Sequence, residues 1–291
     1  MIYTITNDYL SVSIETFGAQ LKSIKKRNYE CEYLYQGSNI YWANRAINLF
    51  PICGRLKDNK YTYNNIEYEL GCHGFARHQE FSLDSISESS VTFKLSDNDE
   101  TLNKYPFKFD LRITYELNGN IINIKNTVLN KDNKELLFTT GGHPGFNCPL
   151  DKSLDFSDYI ISFNNVSDLE EMGLTPKGLR TGLYNKVHFE NGLINLDHHM
   201  FDNGSPFYKN SFNEIRLYSL KDKKAVTVRC PKANFFGLWH TDKSDAPFIC
   251  IEPWLGCPSL DNASSSLEEK DYMIKLKNNE SYEFKYEIEI E

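Results

Sequence analysis

The sequence predicts an all-β protein of antiparallel sheets. Three observations predict it: an apolar–polar period of two, turn residues between the alternating runs, and very little helical periodicity. Polar and apolar residues alternate over Asp110–Leu117, Asn118 and Gly119 interrupt, and a second strand begins over Asn120–Val128. This is the pattern of a hairpin whose Asn-Gly turn supplies positive φ. The alternation recurs in Val91–Leu95, Asn213–Tyr218, Ala225–Arg229 and Tyr282–Ile290. Such runs belong to sheets with one buried face and one face toward water or a ligand. Helical spacing is confined to Ser167–Met172 and Leu267–Lys270, each expected to make a turn or two. Many strands without crossover helices imply an antiparallel sandwich or barrel with few short helices.

The chain has 291 residues, enough for a sizeable core, and no linker, charge block or fixed-period repeat divides it, so one domain over residues 1–291 is expected. Hydrophobic residues at 40% and charged residues at 25% are ordinary globular usage, which excludes a disordered chain. The 18 Tyr and 19 Phe suit strands and also the floors of ligand clefts. Net charge is 32 − 40 = −8, a surface that repels phosphate backbones and anionic lipid, so neither nucleic acid nor membrane is an expected partner. No apolar run approaches the roughly 18 residues of a membrane span. The N-terminal residues have neither a basic nor an apolar leader pattern, and a cytoplasmic address is expected. The seven Cys are odd in number and form no C-x-x-C pair, so they are expected to be reduced, mostly buried thiols.

Among the side chains able to do chemistry, His143 lies in Thr139–Asn147, with glycines before it and a proline after it, which fixes the backbone around an imidazole suited to proton transfer. Hydrogen bonding in a loop is the competing role. Glu252 follows an apolar run, Phe248–Ile251, and precedes Pro253 and Trp254. A carboxylate at the end of a buried strand is costly unless it is paired or used, so a structural ion pair competes evenly with a general base. His73 sits among glycines in Leu70–Arg77, and Arg55 leaves the apolar run Phe50–Leu56; each has a structural alternative of equal or greater weight. Asp197, His198 and His199 form a tempting metal cluster, but adjacent histidines on a strand face opposite ways, and no metal is expected. His78, His188 and His240 read as surface or cleft-rim residues. Nucleotide-binding, serine-hydrolase and zinc-protease motifs are all missing.

Six segments in order give the chain a family likeness: Phe17–Leu21, Asn48–Arg55, His73–Arg77, Gly142–Asn147, Gly237–Trp239 and Cys250–Gly256. Together they resemble the aldose 1-epimerase superfamily, in particular its mutarotase-like branch associated with lactose operons. The resemblance implies a β-supersandwich with an open sugar cleft on one sheet and no cofactor. It implies that Glu252 is the general base for the anomeric hydroxyl of a hexose and His143 the general acid for the ring oxygen. His73, Arg55, Asn147, Arg77 and Trp254 would bind the sugar, with Asp202 the candidate for the aspartate that grips it. Two departures stand out. Galactose mutarotases carry a Tyr where this chain has Gly145, so one aromatic wall is absent or replaced. Arg77 is shared with hexose-6-phosphate mutarotases. The alternatives are a non-catalytic sugar binder or sensor on the same scaffold, or a hexose-6-phosphate mutarotase.

Overall fold

A computed structural model describes residues 1–29 and 31–291. Two large antiparallel sheets dominate it. In one, nine strands run in the order Leu193–Asn195, Tyr159–Ser162, Glu214–Ser219, Ala225–Arg229, Ser281–Ile290, Ile121–Asn130, Phe109–Asn118, Ser90–Ser96 and Ser82–Ile86. The other has seven, in the order Arg180–His188, Asp168–Leu174, Phe207–Lys209, Phe235–Trp239, Phe248–Trp254, Gly141–Asn147 and Ala46–Leu49. An N-terminal three-stranded sheet (Ile2–Thr6, Leu10–Glu15, Gln20–Lys26), the hairpin Lys60–Tyr63 with Ile66–Glu69, and the pair Leu136–Phe138 with Ile274–Leu276 complete it. The α-helical content among the described residues is one short segment, Asp99–Lys104, capped at both its first turn's ends by Asn98 and Thr101. No helix among them is long and apolar enough to cross a membrane.

Strand period explains how the seven-stranded sheet serves two purposes. Successive side chains point to opposite faces. Phe236, Leu238, Ile249, Ile251 and Phe146 join the main core, where they meet Ile122, Val128, Phe284 and Ile288 of the nine-stranded sheet. Ile47, Leu49, Phe235 and Trp254 fall in a separate apolar cluster, and Phe248 and Cys250 in a third. Those clusters underlie the opposite face. The sheet is thus buried on its inner face and lines a cleft with its outer one.

The expected strands are present, with three corrections. The hairpin pairs Asn118 with Ile121, so the turn residues are Gly119 and Asn120, and the positive φ of 58° is at Gly119, the first turn position. Ser167–Met172 makes no helix; Asp168–Leu174 is a strand. Its Leu169 enters the main core while Met172 enters the cleft-side cluster, so a spacing of three mimicked one helical stripe while serving two strand faces. Leu267–Lys270 is a turn without helix. All seven cysteines are free, five of them buried.

The loop Gly71–Gly74 is held tightly beneath the cleft. Gly74 has φ 72°, and a Cβ there would lie 2.2 Å from the Phe50 carbonyl oxygen. That oxygen accepts from the N–H groups of Phe75 and Ala76, so it cannot withdraw cheaply. Gly74→Ala is expected to destabilise the protein by about 3 kcal/mol, combining left-handed backbone strain with a backbone clash. Urea denaturation should show a lower midpoint with an unchanged slope; an unchanged midpoint would show that the loop relaxes freely.

Candidate functional site

Strand register sets the centre of the site. Gly141 pairs with Trp254 and Gly145 with Cys250, which places His143 opposite Glu252 on adjacent antiparallel strands, with both side chains on the cleft face. On its other side His143 pairs with Ile47, and Glu252 pairs with Gly237. His143 Nε2 lies 3.3 Å from Glu252 Oε2. Glu252 is 1% exposed and His143 7%, and neither carboxylate oxygen has a hydrogen-bond partner among the described residues. Trp254, two residues along the strand, turns its indole toward the carboxylate and offsets a little of the cost.

Burial decides the charge state of this pair. It drives the Glu252 carboxyl well above the ordinary carboxylate range, and it drives the His143 imidazole down to about 3. The Arg77 guanidinium adds to the depression of His143. Both shifts favour a neutral pair, a carboxylic acid facing an imidazole. One proton hop would convert it to carboxylate and imidazolium without changing its net charge.

The pair lies at the floor of an open cleft of about 1670 Å³, whose lining includes Arg55, His73, Arg77, Lys177, Asp202 and Trp254. This exceeds the roughly 300–1000 Å³ of a typical ligand site, so shape alone does not fix a small ligand and the polar groups must orient it. His73 stands at φ 66°, and its Nδ1 accepts a hydrogen bond from the Gly54 N–H at 3.2 Å. That bond places the imidazole proton on Nε2. Burial, with His143, Arg77 and Arg55 nearby, keeps the ring neutral. His73 thus offers the cleft an N–H donor that carries no charge.

The other expected residues divide. Arg55 and Arg77 reach the cleft, and among the described residues neither forms an ion pair. Arg77 Nε instead donates to His78 Nε2 at 3.0 Å. Trp254 packs under the cleft against Phe207 and His73. Asp202 lines the rim, 2.9 Å from His199 Nδ1. Asn147 stands apart: its amide donates to the Glu32 and Leu34 carbonyls at 2.7 and 3.2 Å, and it is absent from the lining. Four residues beyond His143 along an extended strand, it is too distant to share the same ligand atoms. His198 and His199 lie in a 3₁₀ turn, not on a strand. His240 is fully buried, contrary to the surface reading, with Nδ1 donating to the Thr241 carbonyl at 2.6 Å and Nε2 3.1 Å from His198 Nδ1.

Trp42 is the residue that sequence reading missed. Its indole stacks on the His143 ring at 4.9 Å and 27°, with Trp239 at its edge 5.4 Å away. A Cβ at position 145 would come within 3.0 Å of Trp42 and 3.2 Å of the Cys250 sulfur, so the glycine leaves the room that the indole takes. The wall expected to be absent or replaced is supplied by Trp42. Its only signal in the sequence was its rarity, one of three Trp in the chain. Because desolvation is the main cause of the low His143 pKa, Trp42→Ala should admit water and move that pKa up from about 3 toward 6.5. An NMR titration of the imidazole measures this, and an unmoved pKa would mean that the indole does not shield the ring.

Comparison with known proteins gives one consistent answer. The family model described as aldose 1-epimerase matches residues 1–289. The plasmid-encoded protein LacX of Lactococcus lactis subsp. lactis is 32% identical, with 100% of this chain and 99% of that protein covered. A galactose mutarotase related enzyme from Lactobacillus acidophilus superposes with a TM-score of 0.95 at 33% identity, covering 100% of this chain and 97% of that one. A galactose mutarotase-like protein from Lactobacillus casei gives a TM-score of 0.93 at 28% identity with both chains fully covered. Matched by the family model over nearly its whole length and by relatives covered almost end to end, the chain belongs to the aldose 1-epimerase family.

Proposed function

We propose that the protein is a mutarotase that interconverts the α and β anomers of a hexose, with Glu252 and His143 as its acid–base pair. The reading is carried by one observation: a carboxylate and an imidazole 3.3 Å apart, facing each other across adjacent strands at the floor of an open cleft. Family membership and relatives named for galactose mutarotase support it. Ring opening removes a proton from O1 and adds one to O5, and both oxygens are bonded to C1, so an acid and a base must flank that carbon together.

In this mechanism the hemiacetal inserts between Nε2 and Oε2 and parts their contact. Sugar hydroxyls donating to Glu252 favour its ionised form, and the proton passes to His143. Glu252 then takes the O1 proton as the C1–O5 bond breaks, and His143 delivers its proton to O5. The aldehyde forms, C1–C2 rotates, and reclosure on the other face reverses each transfer. Opening returns the pair to the neutral state that burial prefers. His73 Nε2–H, Arg55 and Arg77 orient the hydroxyls, and Asp202 is placed to meet them at the rim; cleft and pair together draw on residues from Trp42 to Pro258, and the chain works as one unit.

A second reading, a 6-phosphorylated hexose, is favoured by a specific observation. Arg55, Arg77 and Lys177 all line the cleft without a carboxylate partner among the described residues. A phosphate would engage such cations by charge-assisted hydrogen bonds.

Polarimetry on freshly dissolved α-anomers tests the first reading. Glu252→Gln and His143→Asn should each slow the catalysed rate by about a hundredfold or more. Native protein that binds sugar without accelerating mutarotation would identify a binder on this scaffold instead. The same assay with free and 6-phosphorylated hexoses separates the two substrates. Under the second reading, Arg77→Ala raises KM for the phosphorylated sugar by about tenfold or more and leaves the free sugar nearly unaffected. Equal effects on both would reject phosphate recognition by Arg77.

A further inference from the structure

We propose that His143, Cys250 and Glu252 form a binding site for a divalent cation of the Zn²⁺ type, and that the bound cation shuts off the acid–base pair. The inhibitory half rests on the mutarotase reading; the binding half does not. Cys250 and Glu252 are two apart on one strand and so share its cleft face, while His143 is directly across from Glu252. One ligand atom from each lies within 4.8 Å of the other two, and all three residues are buried. The His143–Glu252 edge of 3.3 Å already matches the separation of two donors around a tetrahedral metal with bonds near 2.0 Å.

The second, independent observation is that these atoms are unengaged. Both Glu252 oxygens are buried without a hydrogen-bond partner among the described residues. Among the described residues the Cys250 thiol forms no hydrogen bond either; its cross-strand neighbours are Gly145 and Trp239, and Tyr35, Phe248 and Trp42 surround it. A bare carboxylate in such a place is costly, and a dication bound to thiolate, carboxylate and neutral imidazole leaves the site with no net charge. Binding releases the thiol and carboxyl protons to solvent, so charge and protons balance.

Donor chemistry selects the class of metal. One nitrogen, one sulfur and one carboxylate oxygen suit a borderline cation, whereas Mg²⁺ and Ca²⁺ require oxygen sets. Three protein ligands leave a fourth position toward the cleft for water. Tightly held metal sites also anchor the far nitrogen of each ligating histidine, and here His143 Nδ1 has no partner among the described residues. The site is therefore one of reversible occupancy, a brake on the pair. Since the metal takes Nε2 and Oε2, sugar and metal exclude each other.

The test uses the full chain titrated first with Co²⁺, whose absorption reports both tetrahedral geometry and thiolate ligation, and then with Zn²⁺. One equivalent of Co²⁺ should bind with a thiolate-to-metal band, and Zn²⁺ should displace it. Cys250→Ser should abolish that band and weaken Zn²⁺ by more than the roughly ten- to hundredfold typical of losing an outer partner. It should keep its mutarotase activity and lose inhibition by Zn²⁺. Cys31→Ser and Cys72→Ser, at the two half-buried thiols, should keep the band. Circular dichroism confirms the fold of each variant, and Glu252→Gln, which retains every cysteine, should also lose the tetrahedral spectrum. Absence of one-to-one uptake, or a band that survives in Cys250→Ser, overturns the site. A Cys250-dependent band in a protein without mutarotase activity would leave the site standing and sink only the inhibitory role.

Discussion

The constraint on which the site depends is the burial of Glu252 with no hydrogen-bond partner for its carboxyl among the described residues. Such a carboxyl is tolerated because it sits on a central strand whose backbone is paired on both sides, with Phe235–Trp239 on one flank and Gly141–Asn147 on the other. The ladder holds the side chain at the cleft floor whether or not the location favours it. Placing a polar group there opposes stability, as buried acid–base pairs commonly do. What relieves the cost is the proton. A neutral carboxylic acid beside a neutral imidazole avoids buried charge, and burial moves both groups in the directions that maintain this arrangement.

The surroundings follow from the same constraint. Under the proposed mechanism the neutral pair turns ionic during the reaction, which a uniformly apolar environment would oppose. Around His143 the aromatic rings of Trp42 and Trp239 keep water away on one side. On the other, His73 stands edge-on at 5.5 Å as an uncharged donor, and Arg55 and Arg77 bring positive potential to the rim. Positive charge opposes a second positive charge on His143 and favours a carboxylate on Glu252. Positive potential at the rim thus accords with the base role proposed for Glu252 and with an anionic or hydroxyl-rich ligand above it.

The legible part of the protein was the part governed by local periodicity. Alternation announced most of the nine-stranded sheet, since those strands bury one face and their polar partners mark the other. The seven-stranded sheet was harder, because Phe248–Trp254 is buried throughout, and a strand covered on both faces shows no alternation. Glu252 stood out there because it was the lone charge in an apolar run. His143 was recognisable through its glycine and proline neighbours. Trp42, Lys177 and the burial of His240 were not, because each depends on which distant segment packs against it. Asp168–Leu174 failed for a related reason: Leu169 and Met172 serve two separate clusters, and sequence spacing cannot show that two apolar residues have different partners. The motif that held Asn147 extended past the site, since a strand long enough to place His143 also carries residues that only hold the sheet's edge.

Gly145 ties these threads together. Its missing side chain admits the Trp42 indole over His143, and it leaves the sulfur of Cys250 facing the same space. A larger residue at that position would fill the room of both. It would supply its own wall to the cleft, displace Trp42, and cover the thiol. The shielding of His143 and the availability of a soft donor beside Glu252 are therefore not separate properties of this cleft. They are two consequences of one absent Cβ.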